Sequence, residues 1–137
     1  MVKVASGGET SRLMLALKTA LARADRISTL IFDEIDQGIG GRVGGVVGSK
    51  LWGLSQVHGD IERQVFCVTH LPQLAGYADR HMRVRKAVSQ GRTRTVVDEL
   101  QDDDRIGELA QMLGSDSDST RDIARELIAQ RTTGAQE

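Results

Sequence analysis

From Gly8 to Ala24 the apolar residues Leu13, Ala16, Leu17, Ala20, Leu21 and Ala24 recur at helical spacing, with Arg12, Lys18 and Arg23 mostly outside that stripe. The pattern predicts an amphipathic helix. The β-rich run Ser28-Thr29-Leu30-Ile31-Phe32 then ends in Asp33-Glu34 and the glycine-rich turn Gly38-Ile39-Gly40-Gly41, which predicts a buried strand. A second helix is expected from about Arg42 to Val57. Its Gly44, Gly45, Gly48 and Gly53 each weaken it by roughly 1 kcal/mol relative to Ala, so close packing or a ligand must favour them. Gln64-Val65-Phe66-Cys67-Val68-Thr69 reads as another buried strand. A strand, a helical crossover and a strand in this order imply parallel pairing, so the fold class is α/β.

Beyond the second strand, Leu71 to Tyr77 predicts a short helical turn. His81 to Val88 and Thr93 to Leu100 alternate across Ser89-Gln90-Gly91, as the two arms of a β-hairpin do. Two helices follow, from about Asp103 to Leu113 and from Thr120 to Gln130. Ser119 is the expected cap of the second, and Ile123, Leu127 and Ile128 are expected to face inward. No repeat or linker divides the chain, so its 137 residues are expected to form a single domain.

Composition narrows the classes of function. Cys67 is the single cysteine, which excludes an internal disulfide framework, fits a reducing compartment, and suits a small buried hydrophobe. The longest run without Asp, Glu, Lys or Arg, Gln64 to Ala78, is too short and too polar to span a bilayer. No secretory h-region follows Met1, so a cytoplasmic location is expected. A net charge of −1 gives no global attraction to nucleic acid. Locally, residues 80 to 94 hold Arg80, Arg83, Arg85, Lys86, Arg92 and Arg94 without an acid, and residues 98 to 104 hold Asp98, Glu99, Asp102, Asp103 and Asp104 without a base. Runs of this kind are usually solvated faces.

Three short motifs carry candidate chemistry. Ser6-Gly7-Gly8-Glu9 has the spacing of a capping box, yet its two glycines also bare the N–H groups of a helix N-terminus, which suits a phosphate. Asp33 and Glu34 close a strand at the edge where open α/β sheets place ligands. As strand neighbours they would point to opposite faces, one to hold Mg²⁺ and the other to polarise a water. Thr69-His70 ends the adjacent strand, where His70 is placed to donate to a phosphate oxygen. His58 and His81 form no metal spacing with Cys67. No G-x-x-x-x-G-K-[ST] occurs, since none of Lys3, Lys18, Lys50 and Lys86 follows a glycine, and no nucleophile elbow is present.

Taken in order, Ser6-Gly7-Gly8-Glu9, Leu30-Ile31-Phe32-Asp33-Glu34 with Asp36, and Val68-Thr69-His70 resemble the C-terminal lobe of an ABC-type ATPase head. Ala5 and Glu9 depart from the transporter form of the signature. They are similar instead to the RecN family of SMC-like double-strand-break repair proteins, as are Phe32 to Gly41, Val68 to Ala75 and Glu108 to Gly114. The resemblance implies a parallel-sheet lobe with helices packed on it and a small hairpin. It implies that Ser6, Gly7 and Gly8, in the motif that Glu9 closes, contact the γ-phosphate of ATP on a partner head. It makes Asp33 the residue serving Mg²⁺, Glu34 the general base, His70 the switch histidine, and Asp36 part of a loop crossing the dimer interface. The implied partners are a second head, the portion bearing the nucleotide-cradling loop, and DNA, with no membrane; the implied location is the nucleoid. On this reading the chain is the C-terminal part of a larger protein and, alone, lacks ATPase activity. Two alternatives stand beside it: a non-catalytic interaction lobe, and a fragment of a transporter ATPase, against which Glu9 and Leu71-Pro72 argue.

Overall fold

The computed structural model describes residues 27–56, 62–89 and 91–133. The helix expected from Gly8 to Ala24, the Ser6–Glu9 motif and His58 lie outside these. Strand β1 (Thr29–Phe32) pairs in parallel with β2 (Gln64–Cys67), Thr29 opposite Gln64 and Phe32 opposite Cys67. Helix α1 (Gly41–Ser55) makes the crossover, and the one-turn helix α2 (Pro72–Ala75) follows β2. Strands β3 (His81–Ser89) and β4 (Arg92–Leu100) form the antiparallel hairpin, followed by α3 (Asp102–Met112) and α4 (Asp118–Thr133). The chain is thus mixed α/β, with two separate two-stranded sheets among the described residues.

Two apolar clusters hold these elements. Phe32, Ile35, Ile39, Val47, Leu51, Leu54 and Leu74 form the first, between α1 and the inner side of β1–β2. Ala75, Leu109 and Ala124 form the second, joining α2, α3 and α4. Arg105 links the halves by donating to the carbonyls of Ala75, Gly76 and Ala78, which satisfies groups left open where α2 ends. The α1 glycines split into two kinds. A Cβ on Gly48 would sit 2.6 Å from Cδ2 of Tyr77, and one on Gly44 would sit 3.2 Å from Cβ of Gln73, so these two let α1 lie against α2. Gly45 and Gly53 face open space, and nothing in the structure explains them.

Three expectations need correction. The strands are not buried on both sides: Ile31 is 64% exposed, Phe66 49% and Val68 60%. Side chains alternate along a strand, and α1 covers only the side carrying Leu30, Phe32, Val65 and Cys67. The cap of α4 is Ser117, not Ser119. Its Oγ accepts from Thr120 N at 3.4 Å while its own N–H donates to Thr120 Oγ1 at 2.9 Å, so the helix begins one residue before Ser119. Ile123 faces outward at 45% exposure, because the buried stripe of α4 runs through Ala124 and Leu127, and one residue of helix turns a side chain by about 100°.

Candidate functional site

The polar groups at the ends of β1 and β2 meet because the parallel ladder runs past the strands. Val68 N donates to Phe32 O at 2.9 Å, which keeps the chain on both sides in register as it leaves the sheet. Asp33 and Glu34 are the first residues past β1, and both are exposed. They do not alternate as strand neighbours, since a turn begins there. Gln37 N donates to Glu34 O, and Glu34 itself has φ 54°, the left-handed region that a non-glycine residue occupies at a cost of about 1–3 kcal/mol. The Glu34 carboxylate accepts from Gln37 Nε2 at 2.8 Å, which limits its freedom to swing.

Ile35 and Asp36 turn back inward. Asp36 is 3% exposed, and its Oδ2 accepts from Thr69 Oγ1 at 2.5 Å and from His70 N at 2.8 Å. Nδ1 of His70 lies 3.0 Å from the same oxygen, while the His70 side chain is 76% exposed. Thr69 Oγ1 in turn accepts from Leu71 N at 3.0 Å, so one hydroxyl ties the start of α2 to Asp36. Burial raises the Asp36 carboxyl pKa; donation by Thr69 and His70 N and the charge of the imidazole outweigh it, and the net displacement is below the ordinary value. A buried carboxylate with several donors is stably ionised.

Cys67 sits half-buried beneath this edge. Burial, then the nearby Asp36 and Asp33 carboxylates, push its thiol up to about 11, so it is an inert thiol at neutral pH. Among the described residues no group of three His, Cys, Asp or Glu is placed to hold a metal by itself. Asp33, exposed and without an ion-pair partner among the described residues, fits Mg²⁺ of the kind that keeps most of its waters and takes further ligands from a phosphate. A hollow of about 280 Å³ lies elsewhere, against α3, lined by residues including Arg83, Glu108, Asp116 and Arg121. Both of its arginines are already paired within the chain, Arg83 with Glu108 and Arg121 with Asp103 and Asp116.

The sequence-derived residues thus divide. Asp33, Glu34, Asp36 and His70 lie at one edge, with Asp36 and His70 in contact; Ser6, Gly7, Gly8 and Glu9 fall outside the described residues. Sequence reasoning passed over Gln37 and the hydroxyl of Thr69. The spacing of Gln37 three residues after Glu34, across a glycine-rich turn, was the available signal for the first.

The fold and this edge define an α/β protein with a polar cluster at the carboxyl ends of adjacent parallel strands. The chain is 44% identical over 130 residues to DNA repair protein RecN of Treponema pallidum, 40% over 138 residues to that of Bacillus subtilis, and 47% over 130 residues to that of Mycobacterium leprae. These matches cover 93%, 96% and 93% of this chain. It belongs to the RecN family, and it spans about a fifth of the length of these curated relatives, 22%, 23% and 21%. No family model matches the sequence. No helix among the described residues is long and apolar enough to cross a membrane.

Proposed function

We propose that the strand-end edge is the phosphate-facing part of an ATP-hydrolysing head in a DNA repair protein. The observation that carries the reading is the meeting of Asp33-Glu34 with an Asp36-held His70 at the carboxyl ends of parallel neighbours, the edge at which α/β sheets place ligands. Mg²⁺ bound with the nucleotide would supply charge neutralisation of the phosphates. Asp33 would hold that ion. Glu34, exposed and aimed by Gln37, takes the proton of the attacking water. His70 faces the terminal phosphate. By their sequence motif, Ser6, Gly7 and Gly8, with Glu9, would serve ATP held by a second head, as the homodimer of an SMC-like ATPase acting on DNA at the cytoplasmic nucleoid requires. The nucleotide-cradling loop has no counterpart in these 137 residues, so the chain by itself is expected neither to hydrolyse ATP nor to bind it tightly.

The test is Glu34→Gln in the intact protein that carries this sequence. Loss of the base is expected to lower ATP turnover by about 10²-fold or more while nucleotide binding and head association persist. Turnover at the parent rate would sink the assignment. A second reading, a lobe that only binds other protein, is favoured by the exposed apolar side of β1–β2 at Ile31, Phe66 and Val68. That reading expects Ile31→Asp to abolish assembly with the rest of the protein, and Glu34→Gln to change nothing.

A further inference from the structure

The contact between Asp36 and His70 has a consequence for which ring nitrogen the site presents. A neutral imidazole carries one proton, on Nδ1 or on Nε2, and the two forms offer opposite hydrogen-bonding edges to a ligand. In water, free histidine favours the Nε2–H form. Here Nδ1 lies 3.0 Å from Oδ2 of Asp36, a carboxylate that is 3% exposed and held by Thr69 Oγ1 and His70 N. A bare Nδ1 would set its lone pair against a buried anionic oxygen. A proton on Nδ1 turns that repulsion into attraction, which counts for more at a carboxylate as sheltered as that of Asp36.

We propose that Asp36, braced by Thr69, is a positioning residue that holds neutral His70 as the Nδ1–H tautomer and leaves Nε2 as a bare acceptor on the exposed side of the ring. Carboxylates behind metal-bound and catalytic histidines fix the tautomer in the same way. The inference deepens the proposed hydrolysis site, on which its functional meaning rests. Neutral His70 then accepts from water or a hydroxyl, and it donates to a phosphate oxygen only as the imidazolium, whose Nδ1–H already faces Asp36. Asp36 is therefore assigned an inward task, on His70 of its own chain. Thr69 matters through the same oxygen: its hydroxyl, fixed by Leu71 N, keeps Oδ2 from rotating away.

The test is the ¹⁵N spectrum of the imidazole rings in the full 137-residue chain, recorded above the histidine titration range, with His70 assigned by its loss in His70→Gln. The expected wild-type pattern is a protonated Nδ1 and a bare Nε2. Asp36→Asn, whose amide can also donate to the ring, is expected to move His70 toward the Nε2–H form, and Thr69→Val to give a mixture of the two. A wild-type His70 already in the Nε2–H form overturns the proposal without any variant having to fold. An Asp36→Asn protein that keeps Nδ1–H overturns it as well, and a role limited to tying the two loops together predicts that retention with a lowered melting temperature. The spectrum involves no nucleotide, so this proposal and the hydrolysis reading fail separately: the tautomer can be wrong while Glu34→Gln still abolishes turnover, and the converse holds.

Discussion

The strand-end edge and the hairpin half of the molecule treat charge in opposite ways. In the hairpin half most of the acids meet a cation, Asp102, Asp104, Asp118 and Glu126 excepted. Arg80 grips Glu99 through two bonds of 2.7 Å, Arg85 reaches Asp98 at 2.6 Å, Arg83 reaches Glu108 at 3.2 Å, and Arg121 bridges Asp103 and Asp116. The register explains part of it: β3 and β4 run antiparallel with Arg83 opposite Asp98, which brings Arg80, Arg83 and Arg85 beside Asp98 and Glu99. At the strand ends Asp33 has no cation among the described residues, Glu34 is held by an amide, and the buried Asp36 is turned onto a histidine. Charges neutralised within the chain hold shape; the exposed Asp33 carboxylate, without a cation among the described residues, stands instead at the sheet edge where a ligand would bind.

That contrast can be broken in steps. The largest expected effect is on the second apolar cluster, which carries the hairpin half: Leu109 is fully buried, and Leu109→Ala is expected to cost about 2–5 kcal/mol in denaturant unfolding. A loss below about 1 kcal/mol would mean that α3 and α4 are not packed as described. Next comes the contact between α1 and α2 that seats the start of α2 beside His70. Gly48→Val places carbon against the Tyr77 ring, where a Cβ alone would stand at 2.6 Å, and is expected to destabilise by about 1–3 kcal/mol through overpacking. An unchanged urea midpoint would show a looser approach.

A smaller effect separates the two kinds of acid by pH. Asp36 has a folded-state pKa below its unfolded value of 3.8, so its contribution to stability is complete above that value and is lost as pH falls through the lowered folded one. Urea midpoints of the wild-type chain are expected to fall over that acidic window, and those of Asp36→Asn to fall less steeply. Identical slopes would show that the Asp36 bonds to Thr69 and His70 do not stabilise the fold.

Much of the architecture was legible in the sequence, because helical spacing and strand alternation depend on chain-local periodicity. The α1 crossover, the parallel pair and the hairpin arms lie within a residue or two of their expected limits. What failed was tertiary. Which side of β1 is covered depends on what packs there, and apolar Ile31 and Phe66 look the same in sequence whether buried or exposed. Strand periodicity places Asp33, Glu34, Asp36 and His70 just beyond the strand ends, but it does not carry the directions of their side chains. Asp36 turns inward because Glu34 adopts a left-handed backbone and Gly38, at φ 71°, completes the turn, and neither angle is written in the periodicity.

The most direct test of the central claim sets one aspartate from each region against the other in the intact protein, by measuring Mg²⁺-dependent ATP turnover of Asp33→Asn and Asp98→Asn. Both substitutions remove one charge and almost no volume. Asp33→Asn is expected to lower turnover by about 10²-fold or more, the loss of several kcal/mol of charge stabilisation when a metal-holding carboxylate is removed. Asp98→Asn, which loosens only the pairing with Arg83 and Arg85, is expected to turn over ATP at the parent rate. Equal turnover in the two variants, or a loss confined to Asp98→Asn, would contradict the account.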